Sequence, residues 1–439
     1  MLNKLKEYIS KHNLLDKGKY IVALSGGADS VCLLRTMMAL GYDVDAAHCN
    51  FRLRGEESDR DEDFCITLCH KHGIPIHITH FDTREYAAIH KVSIEMAARE
   101  LRYSYFEQLR IAIGARGILV AHHSDDNVET VLLNLIRGTG IYGLEGIRPR
   151  NGYVLRPLLC LSKVEILEYL HSIGQDFITD SSNNVDDVLR NKVRLNLMPV
   201  LQAISPNVAE NILNTVENIS EAVKVYDHAV DDSISKCLSD NVVDIAKLIS
   251  QPSPEAILYE ILKRYGFPSK QIRQIYDNLD ASSGKTWSND TFTVAKDRGK
   301  LIIDKVNYGI SPFAIPEAGQ YRLGVGNSKV SIDVTSRSEL KEISRNPFIA
   351  TLDAEKVSFP LMLRQVRNAD RFVPYGMKGT KLVSDYLTDR KKNYFQRRKQ
   401  LVIEDASGRI VWLVGERVSD EASVTDDTIK VLTMRYSKE

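Results

Sequence analysis

Short apolar runs alternate with helix-spaced stretches through the first two hundred residues, and this alternation limits the fold more than any other feature of the chain. Residues 20–24 (YIVAL), 44–49 (VDAAHC), 74–81 and 117–122 (GILVAH) read as strands. Between them, VCLLRTMMAL keeps helical spacing up to Gly41, with Met37 and Met38 at core positions, and a charged stretch becomes a helix ending near Gly73. Residues 93–113 put Ile94, Ala97, Leu101, Tyr105 and Ala112 on one helical face, and residues 127–137 form a further helix closed by Gly138. Strands alternating with helices of this length imply βαβ units, hence a parallel sheet with helices on both faces.

Ligands of such sheets collect at the carboxyl ends of the strands. Three polar clusters fall there: SGGADS (residues 25–30), HCNFRLRGEE (48–57) and HHSDDNVET (122–130). In the first, Gly26 and Gly27 permit a tight turn that brings N–H groups close to an anion. Ser25 and Ser30 add hydroxyl donors, and the helix that follows adds its positive dipole end. The result is a phosphate cradle that has neither the G-x-x-x-x-G-K-[ST] nor the G-x-G-x-x-G spacing. The alternative is a glycine-rich turn in which Asp29 serves only as the helix N-cap.

In the third cluster Asp125, Asp126 and Glu129 open a helix, and Asp126 and Glu129 share a face, so one ammonium group can meet both carboxylates. Acidic residues also favour a first helical turn for dipole reasons alone. His122 and His123 precede them, either at the site or as satisfied core histidines. Arg99 and Arg102 lie three apart on the long helix, with Glu95 four before Arg99, and can serve as anion ligands or as a surface ion-pair face. Arg52 and Arg54 leave the second strand in a loop and are candidates for nucleotide or RNA contact.

Lys+Arg and Asp+Glu number 58 each, so bulk charge would not bind a polyanion and any such contact needs a local patch. Arg390, Lys391, Lys392, Arg397, Arg398 and Lys399, interleaved with Tyr394 and Phe395, form one: a phosphate-binding surface or a solvated helix face. Six cysteines without a C-x-x-C pair argue against a disulfide framework, a zinc ribbon or an iron–sulfur cluster. Residues 1–15 read as an amphipathic helix rather than a leader, and no stretch approaches the roughly 18 apolar residues of a membrane span. The expectation is a soluble, cytoplasmic protein.

Beyond residue 160, Ser162 and Glu165 form a capping box for a helix ended by Gly174. Residues 206–280 read as helices, one of them opened by Pro254, and residues 286–305 as a hairpin turning at Asp297, Arg298 and Gly299. Residues 310–330, rich in Gly and Pro, read as a linker or as the entry to a last domain. After it, strands IATLDA and LVIEDASGRIVWLVG surround a basic helix, TDRKKNYFQRRK.

SGGADS resembles the S-G-G-x-D-S loop of the N-type ATP pyrophosphatases, the PP-loop superfamily, which holds the β,γ-pyrophosphate while the α-phosphate passes to a substrate oxygen. Further segments resemble one branch, the tRNA(Ile)-lysidine synthetase family: HCNFRLRGEESDRDEDF (48–64), EMAARELRY (95–103), HHSDDNVETVLLNLIRGTG (122–140), RNKVRLNLMP (190–199), DRFVPYGMKGTKLVSDYLTDRKKN (370–393) and VWLVGERVSD (411–420). The likeness is dense over residues 20–200, good over 365–432 and diffuse between. It implies a Rossmann-like, adenine nucleotide α-hydrolase-like catalytic domain (1–200), a mostly helical middle domain (206–310) and an α+β tRNA-binding domain (311–439).

The implied reaction adenylates the wobble cytidine of a CAU-anticodon isoleucine tRNA at O2, releasing pyrophosphate, after which free lysine attacks C2 and AMP leaves. ATP and Mg²⁺ are the implied cofactors, and the resemblance is compatible with a homodimer. Ser25, Gly26, Gly27, Ala28, Asp29 and Ser30 would hold ATP, with Asp29 as Mg²⁺ ligand or base. Asp29, Asp126 and Glu129 would be catalytic, and Arg54, Arg99, Arg102, His123 and Asp125 would contact lysine or tRNA. The rivals are another PP-loop tRNA-modifying enzyme with a different acceptor or amine, and an RNA-binding protein with a vestigial nucleotide site.

Overall fold

In a computed structural model that describes residues 1–179, 189–306, 309–323, 328–340 and 342–438, the chain divides into two units, Met1–Asp227 and His228–Glu439. The first is built on strands β1 (Lys19–Ala23), β2 (Asp43–Asn50), β3 (Ile76–His80), β4 (Gly117–Leu119), β5 (Arg150–Asn151) and β6 (Val154–Leu155), in the order β3-β2-β1-β4-β6-β5. All pairings are parallel except the terminal β5–β6 hairpin. Tyr20, Ile21 and Val22 of β1 are all buried, as a strand covered on both faces requires.

The helices of this unit are α1 (Leu2–Lys11), α2 (Ala28–Ala39), α3 (Glu56–His72), α4 (Thr83–His90), α5 (Ile94–Ala112), α6 (Ser124–Ile136), α7 (Ile141–Leu144), α8 (Lys163–Ser172), α9 (Leu189–Lys192), α10 (Met198–Ile204) and α11 (Val208–Cys237), the last containing the boundary between the units. One face of the sheet is covered by a core in which Leu33, Leu34 and Met37 of α2 join Ile166 and Leu170 of α8 and Leu5 and Ile9 of α1. On the other, Phe106 of α5 packs with Ile21, Ala47 and Ile118. The expected α5 stripe is shifted. Ala97 and Phe106 are buried, whereas Ile94 and Ala112, at the two ends of the helix, are exposed.

Strand β4 is three residues long rather than six. Val120 still donates its N–H to the Leu155 carbonyl of β6, and residues 121–123 then carry His122 and His123 on beyond the ladder. The capping box is as read: Ser162 Oγ accepts the Glu165 N–H and the Glu165 carboxylate accepts the Ser162 N–H.

The second unit begins with three helices, Ile245–Ile249, Pro254–Lys263 and Ser269–Tyr276, beside a five-stranded antiparallel sheet. Its hairpin turns where expected, with Asp297 opposite Lys300 and with Arg298 and Gly299 at φ 48° and 71°. Strands Leu238–Ser239 and Val242–Asp244, not foreseen, extend the sheet from the other side of Lys300–Lys305.

The remainder forms a five-stranded and a four-stranded sheet around a core containing Trp412, Val330, Ile332, Leu432 and Met434. Of the two readings of residues 310–330, the entry to a last domain holds and the linker does not, because Phe313–Ile315 and Gly319–Arg322 are the edge strands of the two sheets. Prolines 312 and 316 flank the first, a placement that an edge tolerates and an interior strand does not. (Residues 324–327 lie outside the described ones.) The basic segment is also not one helix. Val383–Asp389 and Tyr394–Arg398 are separate, Lys391 between them has φ 59°, and Asn393 and Gln396 cap the second helix reciprocally. No described helix is long and apolar enough to cross a membrane.

Candidate active site

The phosphate loop leaves β1 and is shaped by its own side chains. The Ser25 N–H donates to Ser30 Oγ at 3.1 Å, and the Ser30 hydroxyl donates to the Gly27 carbonyl at 3.0 Å. Gly26 has φ 87°, and a Cβ there would lie 2.8 Å from Ile178 Cδ1, so both conformation and space demand glycine. Ile178 is itself held by its N–H to the Gly26 carbonyl, 2.9 Å. Helix α2 starts at Ala28 with Gly27 as N-cap, so the N-cap alternative for Asp29 fails. Asp29 stands in the first turn instead, where its Oδ1 accepts the Lys163 ammonium at 2.6 Å.

At the start of α6 the carboxylates are closely partnered. Asp125 Oδ2 accepts the Lys163 backbone N–H at 2.8 Å, and Asp126 Oδ2 accepts the His123 N–H at 3.0 Å. Asp126 Oδ1 also receives Arg190 Nη2 at 2.7 Å. Glu129, 3% exposed, receives Arg190 Nε at 2.7 Å on one oxygen and Arg194 Nε at 2.6 Å on the other. So buried a carboxylate needs opposite charge beside it, and two guanidinium forks supply it.

The two histidines meet opposite environments. His123 is buried among acids: its Nδ1 is 3.2 Å from Asp125 Oδ2, near but not aligned for a hydrogen bond, and its Nε2 is 3.6 Å from Asp126 and 3.9 Å from Asp29. Burial opposes its charge, yet Asp125, Asp126 and Asp29 together raise its pKa above the ordinary value. Burial likewise opposes ionisation of Asp125, and the pull of His123 and of the Lys163 N–H outweighs it, lowering that pKa. His122 is pushed down to about 4, by burial first and then by Arg156, Arg190 and Arg99, against the opposing charge of Asp126.

The structure therefore gathers Asp29, His123, Asp125, Asp126 and Glu129 at the carboxyl edge beside the phosphate loop. Arg54 and Arg102 are engaged elsewhere, whereas Arg99 lies against Tyr103 with its charge still bearing on His122. Arg54 Nη2 pairs with Asp61 of α3 at 3.0 Å, the Arg102 guanidinium lies over the Phe51 ring at 5.1 Å, and that of Arg99 over Tyr103 at 5.1 Å. Sequence reasoning missed Lys163, Arg190 and Arg194. A signal was available for the pair: RNKVR places two arginines four apart, on one helical face.

In the basic segment Lys392 pairs with Glu416 at 2.6 Å, Arg397 lies 3.6 Å from the buried Asp297, and Lys399 pairs with Asp304. Arg390, Lys391 and Arg398 are exposed, Arg390 donating to the Tyr386 hydroxyl and Arg398 to that of Tyr394.

Residues 1–201 match the PP-loop domain family, and residues 239–306 match the TilS substrate binding domain. The chain is 44% identical over 429 residues to a tRNA(Ile)-lysidine synthase of Bacteroides thetaiotaomicron, covering 97% of each. It is 40% identical over 444 residues to that of Parabacteroides distasonis, covering 99% of this chain and 100% of the relative. To that of Porphyromonas gingivalis it is 36% identical over 453 residues, covering 97% of each. With a phosphate loop of the PP-loop type and near full-length kinship of this degree, the chain belongs to the tRNA(Ile)-lysidine synthase family of ATP-dependent ligases.

Proposed function

We propose that the chain ligates free lysine to C2 of the wobble cytidine of CAU-anticodon isoleucine tRNA, through a cytidine adenylated at O2, releasing pyrophosphate and AMP and switching the tRNA to isoleucine identity. The observation that carries this reading is the convergence of the Ser25–Ser30 hydroxyl pair, 3.1 Å apart, and of the α6 carboxylates on one sheet edge. Anion-holding and cation-holding chemistry there stand side by side, as a reaction that expels pyrophosphate and admits an amine requires.

In this reading Ser25, Gly26, Gly27, Ala28, Asp29 and Ser30 hold the nucleotide phosphates by hydroxyl and backbone donors. Asp29 offers a carboxylate oxygen, 32% exposed, of the kind Mg²⁺ takes together with substrate phosphates. A bound Mg²⁺ supplies charge neutralisation for the departing pyrophosphate. Asp126 and Glu129 receive the substrate ammonium and its proton. Because both are already met by guanidinium groups, lysine competes with Arg190 and Arg194 for carboxylate oxygens. Asp125 and His123 line that acidic corner, while Arg54, Arg99 and Arg102 are candidates for tRNA or lysine-carboxylate contact. The middle (206–310) and last (311–439) parts serve tRNA binding, with Arg390, Lys391, Lys392, Arg397, Arg398 and Lys399 contacting phosphates, Arg390, Lys391 and Arg398 directly.

Incubating the full chain with labelled lysine, ATP, Mg²⁺ and a CAU-anticodon isoleucine tRNA transcript tests the reading. Label at the wobble cytidine that requires ATP and is absent from elongator methionine tRNA is the expected outcome. Pyrophosphate release without label would point to a different amine, and neither signal would leave an RNA-binding protein with a vestigial site.

A further inference from the structure

We propose that Arg156 is a positioning residue that holds His122 as a neutral imidazole with its proton on Nε2, making the ring an uncharged hydrogen-bond donor to an anionic oxygen of the substrate. Arg156 directly follows β6 and is 8% exposed. Its Nε–H donates to His122 Nδ1 at 3.1 Å, and its Nη1–H donates to the Arg148 carbonyl at 2.9 Å. Its backbone N–H is tied to the Pro149 carbonyl at 2.9 Å, so the fork is anchored at both ends.

A guanidinium carries only donors and does not lose its proton in a protein. The nitrogen it donates to must therefore present a lone pair. With Nδ1 serving as acceptor, the ring cannot be an imidazolium, and its single proton sits on Nε2. The charges around it agree. Arg99 from α5, Arg190 from α9 and Arg156 itself disfavour a positive ring, and Asp126 from α6 favours it. Tyr103 of α5 and Tyr8 of α1 stand against the guanidinium and bring no formal charge at neutral pH.

Adjacent residues are thus set to different tasks. His123, among Asp29, Asp125 and Asp126, is favoured as a cation, whereas His122, among guanidiniums, is fixed as a neutral donor. Nδ1 of His122 is engaged, so the ring does not act there as a base, and proton acceptance falls to the carboxylates. A neutral donor on a ring surrounded by the charges of Arg99, Arg156 and Arg190 favours an anionic acceptor. Two sources share that chemistry, the α-carboxylate of the amino acid and the α-phosphate of the nucleotide. Naming these two rests on the proposed function; the tautomer does not.

The experiment is long-range ¹H–¹⁵N correlation on the full chain carrying ¹⁵N-labelled histidine, with His122→Gln used only to assign the ring. The expected result is a lone-pair-type Nδ1 and an N–H-type Nε2 for His122, unchanged between about pH 5 and 8. In Arg156→Met the ring becomes a tautomer mixture that titrates nearer the ordinary histidine value of about 6.5. Arg156→Lys, which keeps a cationic donor, restores the wild-type pattern and guards against a fold that fails in the Met variant. A protonated Nδ1, or a wild-type His122 that titrates in that range, overturns the proposal without touching the ligase reading, since no substrate is present.

Steady-state kinetics then separate the sources. Arg156→Met raises KM about tenfold, either for lysine with that for ATP unchanged, identifying the carboxylate, or the reverse, identifying the phosphate. Both KM values staying at wild type would overturn the substrate-contact half of the proposal.

Discussion

Asp125, Asp126 and Glu129 crowd three carboxylates into the start of α6, and residues 390–399 crowd six cations into ten positions, yet the fold answers the two clusters differently. The acids lie against the sheet edge, and each one meets a cation or a backbone N–H: Lys163, Arg190 or Arg194. Of the cations, Lys392, Arg397 and Lys399 are paired with Glu416, Asp297 and Asp304, while Arg390, Lys391 and Arg398 remain in solvent. Like charges out of water persist only with counter-charges, whereas like charges in water and salt repel weakly. Under the proposed function the acidic cluster is a site whose partners must yield to a ligand. The basic one is half scaffold and half open surface.

The largest expected effect comes from breaking the acidic side. Glu129→Ala leaves Arg190 and Arg194 without their shared partner. Both guanidiniums are more than a third exposed, so the loss falls at the low end for a broken buried pair, about 3 kcal/mol. It reads as a lower urea midpoint, accompanied by a raised KM for lysine and an unchanged dissociation constant for tRNA. Glu129→Gln keeps one acceptor oxygen and recovers part of the stability but not the lysine KM. If stability falls while lysine kinetics stay at wild type, the cluster is scaffold and the comparison collapses.

The difference also explains what the sequence disclosed. The strand–helix alternation, the glycine turn and the acidic helix start are local patterns, and each stands where residue spacing put it. The counter-charges are not local: Lys163 lies 134 residues from Asp29, and Arg190 lies 61 from Glu129. Asp29 invited an N-cap reading because Asp is a good cap, and only the φ/ψ of Gly27 decides otherwise. Arg54 was drawn to the site by its place after β2, but Asp61, one helical turn and a half into α3, takes it. The Gly- and Pro-rich stretch read as a linker because edge strands carry the turn residues that interior strands exclude.

A smaller effect sharpens the comparison within the basic segment. Neutralising the exposed set, Arg390, Lys391 and Arg398 to Gln, should weaken tRNA binding and reduce the slope of log K against log salt by about 2–3. The melting temperature should hold. The paired set, Lys392, Arg397 and Lys399 to Gln, should lower the melting temperature, because it takes Lys392 from Glu416, 10% exposed in its side chain, and leaves the buried Asp297 with Arg298, and should move the salt slope less. Equal salt slopes for the two triple variants would mean that pairing in the fold does not decide which cations meet phosphate.

The smallest effect is a control inside the first unit. Asp45 of β2, buried on the sheet and away from its carboxyl edge, accepts Lys19 Nζ and His77 Nε2 at 2.9 Å each. Burial raises its pKa, but the bonds to His77 and Lys19 prevail and hold it below the ordinary carboxylate value. A carboxyl whose folded pKa is depressed stabilises the fold fully above the unfolded-state value, about 4, and loses that contribution as pH falls through the folded one. Asp45→Asn should thus cost about 1–2 kcal/mol at pH 7. The gap to wild type should close on acidification below about pH 4, while the KM for lysine stays fixed. Asp45 is as well paired as Asp126, so a shift in lysine KM would show that pairing, not position at the sheet edge, sets the site, whereas a gap that widened in acid would reverse the sign assigned to its ion pairs.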